Sequence, residues 1–416
     1  MYYFSYIPVG TEIRLRKVPL VTLALVGLNL VLFAALRLSG LGSSFLLRLA
    51  FVPINFEAHA LITSSFLHVD FWHIIPNLLY LWIFGAALED RMGWARYLSA
   101  YLVCGALSMM AQAVATVNLI PANAGIPIVG ASGAISGLLG LFLVRFYYAR
   151  IKVASVALLF LQGIYRVTVS RLNAAGAMLL WIVIQLVYGL VSAGNPLSTT
   201  AYWSHISGFA MGIVLGLTGG LGTEATLERK LLKGRRYFEE GKWFAAMGEL
   251  IEFLRLRPSN PEARATLART FLLTGQRKKA AAEYSKAIVV ELREGGAVAA
   301  IELYEEFLRI SDKPLLPPAH QLAMARELEE RGRFDLAAAA YAALADAGIE
   351  APKTPASMLK AAELYAAKLN DLERAQELYQ TVRALFPQSA WARIARRRLA
   401  EIARILAKRR HSSSLA

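Results

Sequence analysis

Cysteine is nearly absent: Cys104 stands alone in 416 residues, so neither an internal disulfide framework nor a cysteine-based zinc spacing can be drawn. Acidic residues are scarce in the first half. Residues 1–222 hold 5 Asp/Glu against 12 Lys/Arg, which leaves 25 and 33 for residues 223–416. The net charge of +15 is therefore shared between the halves, +7 and +8, and no recognition motif accompanies it, which argues against a nucleic-acid partner. The first apolar run lacks a small-residue cleavage site and is followed by further runs, as in an anchor and not a removable signal.

What is plentiful is apolar surface. A mean hydropathy of +0.44 with 56% hydrophobic residues exceeds what a soluble chain carries and points to a membrane. The two halves differ in kind, with the change near Gly219 to Glu224: the second mixes both charge signs throughout, as solvated helices do. The expected division is 1–17, a cytoplasmic segment; 18–222, a membrane domain; 225–405, a soluble helical domain; and 406–416, a basic, disordered tail.

A hydrocarbon core about 30 Å thick requires roughly 20 apolar residues as helix. Six such runs occur, at 18–37, 72–89, 97–118, 131–149, 174–193 and 203–220. Lys/Arg clusters before the first, after the second and between the fourth and fifth all fall on one side, which places both termini in the cytoplasm of a multi-pass, integral protein of the bacterial inner (plasma) membrane type. The loop 38–71 is apolar enough (Phe45-Leu-Leu, Leu49-Ala-Phe-Val) for part of it to lie in the membrane interface.

Polar residues gather at three helix starts on the outer side. Ser132 lies in Gly130-Ala-Ser-Gly133, where the fourth run begins. His205 lies in His205-Ile-Ser-Gly208-Phe-Ala-Met-Gly212, where the sixth begins, and His68, His73 and Asn77 open the second. A serine hydroxyl needs a base and oxyanion donors to become an acyl-transfer nucleophile. Ser132 with His205 supplies the first, while the Ser132 amide with His73 and Asn77, one helical turn apart, can supply the second. No carboxylate stands near His205 in the sixth run, which argues for a dyad. Taken singly the motifs have plainer readings, because small residues in membrane helices serve close packing and a buried histidine can bridge helices.

Together the residues resemble the rhomboid proteases, with G-x-S-G at the fourth span, H-x-x-G-x-x-x-G in the sixth and H-x-x-x-x-H-x-x-x-N in the second; the likeness covers about residues 15–220. It implies an intramembrane serine endopeptidase that cleaves single-pass transmembrane substrates, entering sideways between spans two and five, without metal or cofactor. By that resemblance Ser132 is the nucleophile and His205 the general base. His73, Asn77, the Ser132 backbone N–H and Gly130 form the oxyanion site, with His68, Gly133, Gly208 and Gly212 in support. Thr63-Ser-Ser-Phe-Leu-His68 and Gly85-Ala-Ala-Leu-Glu89 also look like family segments. Two departures stand out: His59-Ala60 replaces the usual Trp-Arg pair, and Ser136 replaces the aromatic residue that packs on the catalytic imidazole. The competing reading is a non-catalytic, rhomboid-like adaptor that holds client helices.

Residues 225–405 read as helix pairs resembling tetratricopeptide (TPR) repeats. Gly234, Tyr237, Gly241, Ala246 and Pro258 begin the pattern, and Ala268, Phe271, Gly275, Ala280, Tyr284 and Ala287 continue it, with 34 residues from Gly234 to Ala268. Further units fit around Ala325 to Tyr341 and Ala375 to Pro387, whereas 292–317 fits poorly. The expected whole is all-α: a six-helix membrane bundle followed by a TPR-like α-solenoid that binds a cytosolic peptide or protein, or serves as a tether. The basic tail, Arg393 to Arg410, can meet anionic membrane lipid.

Overall fold

The computed structural model describes residues 2–38, 47–159, 164–193, 195, 200–311, 315–345 and 354–413. Two compact units divide at Arg229/Lys230.

In the first unit six helices appear at the six apolar runs: α1 (Leu20–Leu38), α2 (Phe71–Met92), α3 (Trp94–Leu119), α4 (Ser132–Phe146), α5 (Ala174–Ser192) and α6 (Tyr202–Thr218). By length and composition α1, α2, α3 and α5 suffice to cross a membrane. At 15 residues, or about 22 Å, α4 falls short of a hydrocarbon core. Residues Gly133 to Phe142 of α4 are buried without a break, so this helix is enclosed by its neighbours and need not match lipid thickness. Tyr97 and Tyr101 of α3 are fully buried and pack in one cluster with Phe84 of α2 and Phe142 of α4. The expectation that Phe45-Leu-Leu lies in the interface falls partly on residues 45 and 46, which are outside the described residues; Ile54 and Phe56, further along that loop, are exposed.

The helix ends explain the sparing use of carboxylates. Asp70 caps α2 by accepting from the His73 N–H at 2.8 Å. Glu89, at the far end of α2, accepts from the Val21 N–H, the Thr22 N–H and the Thr22 hydroxyl at 2.7–2.9 Å, and Asp90 accepts from the Arg16 and Lys17 amides. The free amide groups at the start of α1 are thereby satisfied by the last turns of α2.

A three-stranded antiparallel sheet was not expected. β1 (Tyr2–Thr11), β2 (Arg150–Leu159) and β3 (Ile164–Asn173) lie in the order β1-β2-β3, with Ile7 opposite Ala154 and Ser155 opposite Thr168. The segment before α1 and the connection between α4 and α5 are thus one structure. Each carries alternating β-branched or aromatic residues too few to register as a membrane span. The all-α expectation holds for the helices, with this sheet as an addition.

Beyond α6 the chain bends by 70° into α7 (Leu221–Glu239). The unit division lies inside α7, past the composition change, because its first turns are bound into the membrane unit. Arg145, buried at the C-terminal end of α4, pairs with Glu228 and, at 3.8 Å, with Glu224; Arg91 and Arg16 approach Glu228 at 3.7 and 3.9 Å.

The second unit continues with α8 (Trp243–Leu256), α9 (Pro261–Leu273), α10 (Arg277–Glu294), α11 (Ala297–Ile310), α12 (Pro318–Glu330), α13 (Phe334–Ala342), α14 (Thr354–Ala367), α15 (Leu372–Leu385) and α16 (Ala390–Ser413). The turns closing the α7/α8, α9/α10, α12/α13 and α14/α15 pairs carry Gly241, Gly275, Gly332 and Asn370 at positive φ. The expected small positions Ala246, Ala268, Ala280, Ala287, Ala325, Ala337 and Ala375 are fully buried, with Tyr284, Tyr341 and Tyr379 between the helices. α11 packs on α10 across a turn with Gly295 at positive φ, in the stretch 292–317 where the repeat pattern fits poorly; within it, 312–314 are outside the described residues. α16 continues through 413, and both residues 414–416 and the side chains from 408 onward lie outside the description, as does any lipid contact of the final basic cluster.

Burial tends to raise the Glu228 carboxyl, but hydrogen bonding to Arg145 and the charges of Arg145 and Arg91 outweigh it and hold the group below its ordinary 4.5. A depressed carboxyl stabilises the fold above its unfolded value, and that contribution is lost as pH falls through the folded value. Glu228→Gln is expected to cost the first unit about 2 kcal/mol at pH 7. Thermal unfolding in detergent should show the gap from wild type closing below pH 4.5; a gap that is absent or independent of pH would contradict the pairing.

Candidate active site

α4 and α6 approach at backbone contact. A Cβ added to Gly208 would overlap the Gly133 carbonyl oxygen, and one added to Gly212 would overlap that of Gly137. At Gly208 and Gly212 the two helices therefore leave no room for a side chain. Gly208 and Gly212 make this contact, while a Cβ on Gly133 would meet the Ser108 and Ser204 hydroxyls.

That contact brings the starts of α4 and α6 to one cleft of about 780 Å³, lined among others by Asp70, His73, Asn77, Ser132, Gln185 and His205. Ser132 is the first residue of α4 and is partly exposed there. Gly130 lies two residues before it at φ +122°, and its N–H donates to the Ser64 carbonyl at 2.9 Å, so the Thr63-Ser-Ser turn fixes the segment that leads into α4. A Cβ on Gly130 would lie 2.6 Å from His73 Nε2; glycine alone lets the imidazole edge close on this backbone. Asn77 is buried, and its Nδ2 donates one hydrogen to the His73 carbonyl at 2.8 Å, leaving the second hydrogen of that amide.

His205 lies in the first turn of α6. The Ser204 N–H beside it donates to Gln112 Oε1 of α3 at 2.9 Å, so a side-chain amide caps this helix. His205 Nδ1 lies 2.8 Å from Gln185 Oε1 of α5. The ring is flanked by Trp181 of α5, centroids 6.2 Å apart, and edge-on by Tyr202 at 6.4 Å. These rings occupy the role vacated at Ser136, whose hydroxyl instead donates to the Ser132 carbonyl at 2.7 Å.

His68 stands apart from the cleft lining. It is buried behind His73, centroids 4.9 Å apart, and burial, followed by the charge of His73, lowers it to about 4, so it is neutral at pH 7. His59, at the position of the departed Trp-Arg pair, binds the Arg48 carbonyl through Nε2 at 3.0 Å, and the Thr63 hydroxyl donates to the Leu49 carbonyl at 2.7 Å. The loop is anchored by different groups.

Among the described residues no group of three or more His, Cys, Asp or Glu side chains converges in metal-binding fashion. Sequence reading missed Gln112, Gln185 and Trp181. The signal for Gln185 was present, since it is the lone side-chain amide in the 19 residues of α5 and polar groups within spans are uncommon.

These features define a Ser/His cleft on a bundle of apolar helices. Residues 55–221 match the Rhomboid domain, and this unit is similar to rhomboid proteins. The chain is 27% identical over 245 residues to Rhomboid protein 1, mitochondrial, of Saccharomyces cerevisiae, covering 57% of this chain and 64% of the relative. It is 30% identical over 167 residues to Rhomboid-like protein 11, chloroplastic, of Arabidopsis thaliana, covering 39% and 52%. The chain thus spans between half and two thirds of the length of these relatives. The solved structures similar to the repeat region include a thermophilic TPR protein of Thermus thermophilus (21% identity, 42% of this chain and 98% of that one, TM-score 0.18) and the TPR protein YrrB (15%, 40% and 90%, 0.20). Such scores add nothing to the TPR-like pairing seen in the helices themselves.

Gly130→Ala introduces both a left-handed alanine and an overlap with His73. It is expected to lower the stability of the first unit by about 1–3 kcal/mol and to push the imidazole away. Thermal unfolding together with a structure of the variant checks this; an unmoved His73 ring at unchanged stability would contradict it.

Proposed function

We propose that the first unit is an intramembrane serine endopeptidase acting on single-pass transmembrane proteins. The observation that carries this reading is that Ser132, His73, Asn77 and His205, from the starts of three different helices, line one cleft. Their residue types are those that acyl transfer requires.

In this reading His205 Nε2 takes the proton of Ser132 Oγ as the oxygen attacks the scissile carbonyl. The oxyanion receives hydrogen bonds from the Ser132 N–H, His73 Nε2–H and the second Nδ2 hydrogen of Asn77, with Gly130 keeping the imidazole close. The protonated His205 then gives its proton to the leaving amine, and water, activated by the same imidazole, releases the acyl group. A helical amide is shielded by its own turn, so the substrate unwinds locally to reach Ser132. No metal or cofactor enters these steps.

Lys/Arg clusters at Arg14 to Lys17, Arg91, Arg96 and Arg145 to Lys152 support an orientation with both termini on one, positively charged side, the cytoplasm if the membrane is a bacterial inner membrane. The helix pairs of the second unit then face the cytosol and present surfaces for a peptide or protein ligand.

Cleavage of a single-pass reporter in proteoliposomes tests the proposal. Ser132→Ala and His205→Ala should each lose about 10³-fold or more of the wild-type rate. Equal cleavage by wild type and Ser132→Ala would reject it in favour of the adaptor reading.

A further inference from the structure

α5 runs for 19 residues without a charged side chain, and Gln185 is its single amide. That amide is placed against the ring of His205: Gln185 Oε1 lies 2.8 Å from Nδ1. A carbonyl oxygen can only accept, so with the amide in this orientation a neutral ring carries its proton on Nδ1 and keeps the Nε2 lone pair. This is the tautomer that can remove a proton from Ser132. One turn earlier on the same helix, Trp181 packs beside the imidazole, with its ring tilted by 35°. One edge of the base and one flank are therefore set by α5, a helix that carries neither Ser132 nor His205.

We propose that Gln185 is the positioning residue of the base, taking the structural place that a carboxylate occupies in three-membered serine hydrolase sites. The assignment rests on the reading of Ser132 and His205 as nucleophile and base. It converts the dyad read from sequence into a chain of three, Gln185–His205–Ser132, in which the third member is neutral. A neutral amide fixes the tautomer and the ring plane without placing an ionised group inside the hydrocarbon layer, where an unpaired carboxylate is costly. The other titratable groups toward the ring are His73 of α2 with Asp70 beside it, and Tyr202 of α6, and none is altered in the test.

The test uses the full chain in proteoliposomes with a single-pass reporter, comparing wild type, Ser132→Ala, Gln185→Leu and Gln185→Glu. Rates are taken as kcat and KM across pH, alongside thermal unfolding. Gln185→Leu should lower kcat by about 10- to 100-fold at nearly unchanged KM, because only the orientation of the base is lost. Gln185→Glu, once ionised, can only accept from Nδ1, so it should recover kcat to within about 10-fold of wild type at pH values where the carboxylate is ionised. Its negative charge favours the imidazolium, which moves the acid limb of the profile to higher pH. Wild-type kcat and an unmoved limb in Gln185→Leu overturn the proposal. Should Gln185→Leu melt early, Gln185→Glu decides: a limb identical to wild type overturns it and a raised limb supports it. Equal cleavage by wild type and Ser132→Ala is a separate outcome, which removes the proteolytic reading and this assignment with it.

Discussion

The first unit depends on α4 and α6 meeting backbone to backbone. The carbonyl oxygens of Gly133 and Gly137 lie where β-carbons on Gly208 and Gly212 would stand, so backbone of one helix rests on backbone of the other. In lipid there is little hydrophobic gain in bringing two helices together, so packing at this range supplies the attraction. The same contact fixes where each helix begins. Ser132 and His205 both belong to first turns, and a shift of one helix along the other by a single residue would separate them by about 1.5 Å more.

Around this contact the unit uses its few acidic groups with economy. All five in residues 1–222 have a structural partner: Glu12 pairs with Arg171 at the base of the sheet, Glu57 with His59, Asp70 caps α2, and Glu89 and Asp90 bind the start of α1. None lies against His205. An unpaired charge in the bundle would be costly, and the orienting contact to the imidazole comes instead from an amide. Below the bundle the balance reverses, and the carboxylates of α7 neutralise arginines that end α2 and α4.

Much of this was legible in the amino-acid order. Long apolar runs and paired glycines write α1 to α6 plainly, and the serine, histidine and asparagine motifs stand at helix starts where a pattern reader finds them. The buried alanines of the repeat region follow the same logic. Other features rest on contacts between distant residues. β1 pairs with β2 across about 140 intervening positions, and neither strand is long or apolar enough to stand out alone. Gln185 meets His205 twenty residues away through the packing of α5 on α6, and Gln112 meets Ser204 across 92. Apolar periodicity cannot announce a single amide whose meaning depends on which ring it faces. The loss of the aromatic at Ser136 was visible, while its replacement by Trp181 and Tyr202 required the fold.

The most direct check on the α4–α6 contact is the rate at which a fluorophosphonate labels Ser132 in wild type and in Gly212→Val, with helical content followed by circular dichroism. A valine there wedges the helices apart while leaving every polar group of the cleft in the chain. Labelling is expected to be abolished with helical content retained. Labelling at the wild-type rate would contradict that contact.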